Sequence, residues 1–177
     1  MTSAFNSDDT FNVIEEHIKQ TLAADTKFAA GGTLEIKTFE QEHREDASSY
    51  GENELPAISI EVGVQSQEEV AIGDLVEYQY LAHILIVTTG GQTQKLLQTE
   101  LKYYAARATR ILQQQHYPTK QLTSIADDLD GADAQGTKVV VQSATVNVGA
   151  TERNPNVLRG LAEIFAVVSV TITLPED

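Results

Sequence analysis

The sequence predicts an α+β domain, a mostly antiparallel β-sheet flanked by helices, in the order α-β-β-β-α-β-β with a long C-terminal hairpin. Three observations carry this reading. Apolar residues alternate along Thr137–Val148 and again along Leu161–Leu174, the period of a half-buried strand. Gly149–Asn156, a polar segment with Asn154 and Pro155 at its centre, supplies turn chemistry between the two runs. Two other stretches repeat their apolar residues at helical spacing, one near the start and one from Thr93 to Gln115. Strands outnumber helices, and hairpin-like connections outnumber helical crossovers, which favours an antiparallel sheet over a parallel one.

The elements follow in order. A first helix is predicted over about Asp9–Ala24, where Phe11, Ile14, Ile18 and Leu22 share a face. Ser7, Asp8 and Asp9 offer caps and favourable negative charge at its start. Gly31 and Gly32 break the chain before a strand over Thr33–Glu42. Gln41–Asn53 reads as an exposed charged loop. Pro56 leads into a second strand in which Ile58, Ile60, Val62 and Val64 alternate with Ser59, Glu61 and Gly63. Gln65–Asp74 reads as an acidic connection. A third strand, Val76–Thr89, carries apolar side chains on both faces through Leu81–Val87 and is expected to be central. Gly90 and Gly91 end it. The helix Thr93–Gln115 has the stripe Leu97, Leu101, Tyr104, Ala108, Ile111 and Leu112, with Pro118 just beyond. Thr123–Gly136 reads as an Asp-rich loop before the closing hairpin. The expected core includes Ile60, Val62, Leu85, Val87, Leu101, Tyr104, Val168 and Val170. No repeat or interior linker divides residues 1–177, so one domain is expected.

Composition bounds the function. At 177 residues the chain can bury about 70% of the surface that its unfolded form exposes. Twelve Lys and Arg oppose 26 Asp and Glu, a formal net charge of −14. That argues against tight phosphate-backbone binding and for an acidic surface that repels nucleic acid. There is no cysteine, hence no disulfide and no thiolate chemistry. The polar, acidic start, Met1–Asp9, lacks a secretory-signal pattern, and no apolar run is long enough to cross a bilayer.

Candidate chemical sites reduce to bland readings. Asp127, Asp128, Asp130 and Asp133 around Gly131 suggest a calcium loop. With Gly131 sixth, however, Ala126 and Thr137 fall where carboxylates are required, so a solvated acidic loop is expected. Gly90–Lys95 lacks the Gly-Lys-Ser/Thr ending of a phosphate loop and reads as a strand-to-helix turn. His17, His43, His83 and His116 are scattered, with no metal-ligand spacing. His83, which interrupts the strongest apolar run, is expected to bond a neighbouring carbonyl or face a subunit contact. Glu61, Glu77 and Glu163 fall on strands, and whether any two converge is open. Tyr78, Tyr80, Tyr103 and Tyr104 suit either core packing or a protein contact. No cofactor, metal or catalytic residue is expected. Arg107 and Arg110 on the long helix, with Glu152, Arg153 and Arg159 around the hairpin turn, form a candidate assembly interface in a chain otherwise short of positive charge.

In layout the chain resembles the tail terminator, or tail completion, proteins of long-tailed bacteriophages. The carriers are Leu81–Val87, the helix Thr93–Gln115, and the hairpin Thr137–Leu174 with Glu152–Asn156 at its turn. The resemblance implies a virion structural protein and not an enzyme. It implies a homo-oligomeric ring, a hexamer, in the tail or neck region, assembled in the host cytoplasm. Such a ring caps the tail tube, ends tube polymerisation and meets a head-side connector or stopper protein. DNA passes through it without specific binding, and no membrane is involved. A neck, stopper or minor tail protein is the near alternative. A small-ligand binding domain or carboxylate-based enzyme is the distant one.

Overall fold

The computed structural model of the chain describes residues 7–45, 49–72, 75–90, 93–114, 133–150 and 158–173. Two helices, α1 (Ser7–Ala23) and α2 (Gln94–Gln113), accompany one five-stranded sheet. Its strands are β1 (Thr38–Gln41), β2 (Ala57–Ile72), β3 (Leu75–Gly90), β4 (Asp133–Ala150) and β5 (Leu158–Thr173). They lie in the order β1-β2-β3-β5-β4. The β2–β3, β3–β5 and β4–β5 pairs are antiparallel, and β1 joins β2 in parallel. The α+β class, the element order, the central place of β3 and the closing hairpin are those that the sequence predicts.

Both helices cover the same face. Alternation along the strands sends Ile58, Ile60 and Val62, Ala82, Ile84 and Ile86, and Ala162, Ile164 and Ala166 to that side. Ile14, Ile18 and Leu22 of α1 and Leu97, Leu101, Tyr104, Ala108, Ile111 and Leu112 of α2 pack against them. Two periods, 2 and 3.6, thereby meet in one core. The close seat of α2 comes from Gly160. A Cβ there would collide with Leu101 Cδ1 and come 3.3 Å from Leu97 Cγ.

Four expectations need correction. The first strand is only Thr38–Gln41, because the preceding backbone bonds elsewhere. Leu34 N–H donates to Lys27 O, Ile36 N–H to Phe28 O and Lys37 N–H to Pro56 O. The acidic segment Gln65–Asp74 is mostly strand. β2 continues to Ile72 opposite β3, with register shifts between Val64 and Val70 where the polar run falls. A ready antiparallel partner outweighs poor strand propensity. The segment Gln41–Asn53 is not simply exposed, since Tyr50 is 2% exposed and packs with Leu55, Ala57 and Val87 on the sheet's second face. Leu85, expected in the core, is instead half-buried on that face beside Leu81 and His83, because the face is only partly covered. The remaining expected core residues are buried with the helices or with Tyr50. Most of the Asp-rich loop, including Asp127, Asp128, Asp130 and Gly131, lies outside the described residues, and Asp133 opens β4.

Two tests follow from the helix seat. Gly160→Ala is expected to lower stability by about 1–3 kcal/mol, the usual cost of overpacking, read as a lower denaturant midpoint. Leu101→Asp places an unpaired charge in the core and is expected to abolish the cooperative thermal transition. A variant as stable as the parent would contradict the α2 packing.

Candidate functional site: the second sheet face and the two edges

The face away from the helices carries a row of polar groups fixed by strand register. Glu61, His83 and Phe165 stand opposite one another on β2, β3 and β5. The chain leaves β1 through Glu42, a non-glycine residue at φ 65 whose N–H donates to Ile60 O. This turn drops His43 onto the row. Its Nε2 lies 3.0 Å from His83 Nδ1, and its Nδ1 lies 2.8 Å from Ser59 Oγ. The Phe165 ring stacks on His83 at 4.4 Å. Glu163 Oε1 is 3.3 Å from His83 Nε2, and Glu61 Oε2 is 3.9 Å from His43 Nε2. The two strand carboxylates thus flank a histidine pair. Glu77 is not part of this array.

The chemistry of the array is limited by its geometry. One facing nitrogen must donate and the other accept, so the pair tolerates one charge and not two. Burial, with the neighbouring His83, lowers the His43 pKa against the opposing pull of Glu61 and Glu163. The line Ser59–His43–His83–Glu163 has the composition of a nucleophile relay. Ser59, however, is 0% exposed in mid-strand, so the line presents no nucleophile to solvent. Among the described residues no cluster of three or more His, Asp or Glu could hold a metal ion. His43 is the residue that sequence reasoning missed, because its partner is distant in sequence and is reached through the turn at Glu42.

Beside the histidines, Arg44 is clamped. It bonds Glu40 at 2.5 Å and Glu54 at 2.8 Å, and its guanidinium lies 4.1 Å from the Tyr50 ring centre. Tyr50 O–H donates to Glu40 at 3.1 Å. Arg44 and the Gly51 N–H hold the Glu54 carboxyl down at about 2. The clamp pins the segment before β2 over Tyr50 and Leu55.

The predicted interface arginines do not form one patch. Arg107 and Arg110 lie on α2, on the helix side, lining a groove with Lys27, Leu34 and Tyr103. Arg107 is already bonded to Asp25, through Nε at 3.1 Å and through a second, shorter contact. This pairing lowers the Asp25 pKa. Arg159 faces the other way, half-buried on β5, and donates to Tyr50 O at 2.9 Å. Glu152 and Arg153 lie outside the described residues. The tyrosines divide as well. Tyr104 is buried and stacks on Phe28, and Tyr80 meets Phe11 edge-on at 5.9 Å. Tyr103 is 64% exposed.

The sheet edges are the remaining feature. β4, 18 residues long, pairs with β5 alone. From Val139 to Ala150 it holds no charged residue and no proline. Val140 is exposed, and a bulge falls between Val141 and Ser143. On the other side, β1 covers β2 only as far as Ile60. Past that point Val62 N–H donates to Glu15 Oε1 of α1 at 2.8 Å.

No protein-family model and no curated protein sequence matches the chain. Among solved structures it is similar to a chain of the virion of a native gene transfer agent particle, with 11% identity and a TM-score of 0.37, over 93% of this chain and 99% of that one.

The histidine row makes a prediction about pH. In the unfolded chain histidine titrates near about 6.5. Burial depresses His17 and His43 in the folded state. The unfolded state then binds more protons as pH falls through that value, so stability is complete above it and declines below it. Melting temperature is expected to drop between pH 7.5 and 5.5, and His43→Gln should flatten that drop. An equally steep profile in the variant would remove His43 from the account.

Proposed function

We propose that this chain is a virion structural protein of a tailed phage-like particle, acting as a tail terminator. In this reading it forms a homo-oligomeric ring, a hexamer, that caps the tail tube, ends tube polymerisation and meets the head-side connector. The observation that carries the reading is the long, uncharged edge strand β4. Monomeric sheet proteins blunt a long edge with charge, proline or a covering segment. Among the described residues the longest strand of the sheet is an edge that carries neither charge nor proline from Val139 to Ala150, with one bulge between Val141 and Ser143, in a chain where 21% of residues are charged. A neighbouring strand would satisfy its free N–H and C=O groups.

The sheet's length supports the same reading. The 16 residues of β3 span about 53 Å, whereas the 20 residues of α2 span about 30 Å. The β2–β3 hairpin and the paired ends of β4 and β5 therefore reach past α2 at one end of the sheet. Such arms suit contacts with a neighbour or a tube end. A head-to-tail contact of this kind closes into a ring when the rotation per subunit divides a full turn. The acidic balance suits a bore through which DNA slides without being held.

The deciding experiment is native mass spectrometry with negative-stain imaging, with and without tail tube protein. Rings that cap tube ends are the expected result. Replacing Val140 and Thr145 of β4 by lysine should leave a folded monomer and weaken the ring. Rings that bind connector but not tube would favour a neck or stopper role. A chain that stays monomeric and ignores tube ends would overturn the proposal.

A further inference from the structure

Two grooves of opposite charge occupy separate parts of the molecule and share no residue. The acidic one lies at the outer edge of β2, between α1 and the turn after β1, and is lined by Phe11, Asn12, Glu15, Glu42, His43 and Glu61. The basic one lies between α2 and the segment after α1, with Lys27, Tyr103, Arg107 and Arg110 in its walls.

Glu15 gives the acidic groove its meaning. It is only 4% exposed, yet it belongs to the groove lining. Its Oε1 accepts from Val62 N–H, and its Oε2 is buried with no hydrogen-bond partner. Such an oxygen is a standing cost unless a donor reaches the site. Burial raises the Glu15 pKa, the Val62 N–H opposes this, and the charges of Glu42 and Glu61 add to it. An arriving cation would offset the repulsion from Glu42 and Glu61 and supply the donor that Oε2 lacks. Glu42 and Glu61 are exposed at the rim, so the site has an open mouth over a buried acceptor.

The basic groove offers the matching group. Arg107 is occupied by Asp25, whereas the Arg110 guanidinium is exposed and has no bonding partner among the described residues. Its planar array of donors can serve several carboxylates at once, which an ammonium does less well. Tyr103, 64% exposed beside it, supplies the aromatic surface typical of a contact. Cations are scarce in this chain, 12 against 26 acidic residues, and three of them line this one groove.

We propose that the acidic groove at Glu15, Glu42 and Glu61 receives the Arg110 guanidinium of a second copy of this chain. The contact joins unlike surfaces, so it runs head to tail, as a ring requires. It rests on the ring reading above and names which surfaces meet in it.

A charge swap tests the contact. Arg110→Glu and the double variant Glu42→Arg with Glu61→Arg all alter exposed positions, so both proteins should fold as the parent does. Each is expected to raise the concentration at half-assembly by at least about tenfold, and their combination should recover part of that loss, since Glu15 keeps its charge. Glu15→Gln keeps an oxygen for Val62 N–H but removes the charge. It should weaken assembly while the monomer melts no lower than the parent. Unchanged assembly in either charge-reversed protein overturns the contact, as does loss in both without recovery in the combination. Loss of tube-protein binding with self-assembly intact also overturns it and assigns the groove to that partner. A parent that stays monomeric overturns the ring reading along with it, whereas the other results leave that reading standing.

Discussion

Everything in this fold depends on β5 being inserted between β3 and β4. Like β3, it pairs with both of its neighbours over nearly its whole length, from Leu158 to Thr173. Because the last strand of the chain takes the inner place, the strand before it is driven to the edge. Gly160 on β5 then lets α2 settle directly onto the sheet through Leu97 and Leu101. The same strand presents Glu163 and Phe165 to the opposite face, against His83. Core packing, the histidine row and the open edge of β4 are thus three consequences of one pairing order.

A single sheet with both helices on one side leaves its second face to shorter segments. Here that work falls to residues 42–45 and 49–56, which are held by several polar contacts. Arg44 lies between Glu40 and Glu54, Arg159 bonds Tyr50 O, and His43 caps Ser59. Tyr50, Leu55, Ala57 and Val87 add a small apolar cluster beneath. Polar clamps of this kind specify where a segment sits but contribute little to stability when exposed. The uncovered remainder, with Glu61 and the rim at Glu42, is where the surface is free to meet another molecule.

How much of this was legible in the sequence varies with the range of the interaction. The stripes of α1 and α2, the alternation of β2 and β5 and the apolar run of β3 are local patterns, and they placed those elements and most of the core. Errors arose where the deciding partner was distant. Residues 33–37 read as strand by pattern, but their backbone groups bond the 27–28 turn and Pro56. Residues 65–72 read as a loop by composition, yet the β3 ladder holds them as strand. The order β3-β5-β4 leaves no mark in any one segment. The convergence of Glu61 and Glu163 on a histidine pair needed the register, and the pair itself needed the turn at Glu42. The candidate interface arginines could not be placed relative to one another from sequence, and those of α2 and β5 sit on opposite faces of the sheet.

Charge and edge together set the terms for any assembly of this chain. Copies that each carry −14 repel one another at long range, and that repulsion fades beyond about 8 Å at physiological salt. A productive contact must therefore win at short range. β4 suits that task, because its run from Val139 to Ala150 adds no charge to the meeting surface while presenting backbone donors and acceptors on either side of its bulge. On the opposite side of the sheet Glu15 already occupies the Val62 N–H, so free strand pairing is obstructed there and a side-chain contact is favoured instead. One edge is open and neutral, and the other is capped and acidic. Each edge therefore calls for a different partner group, backbone donors and acceptors at β4 and a cationic side chain at Glu15.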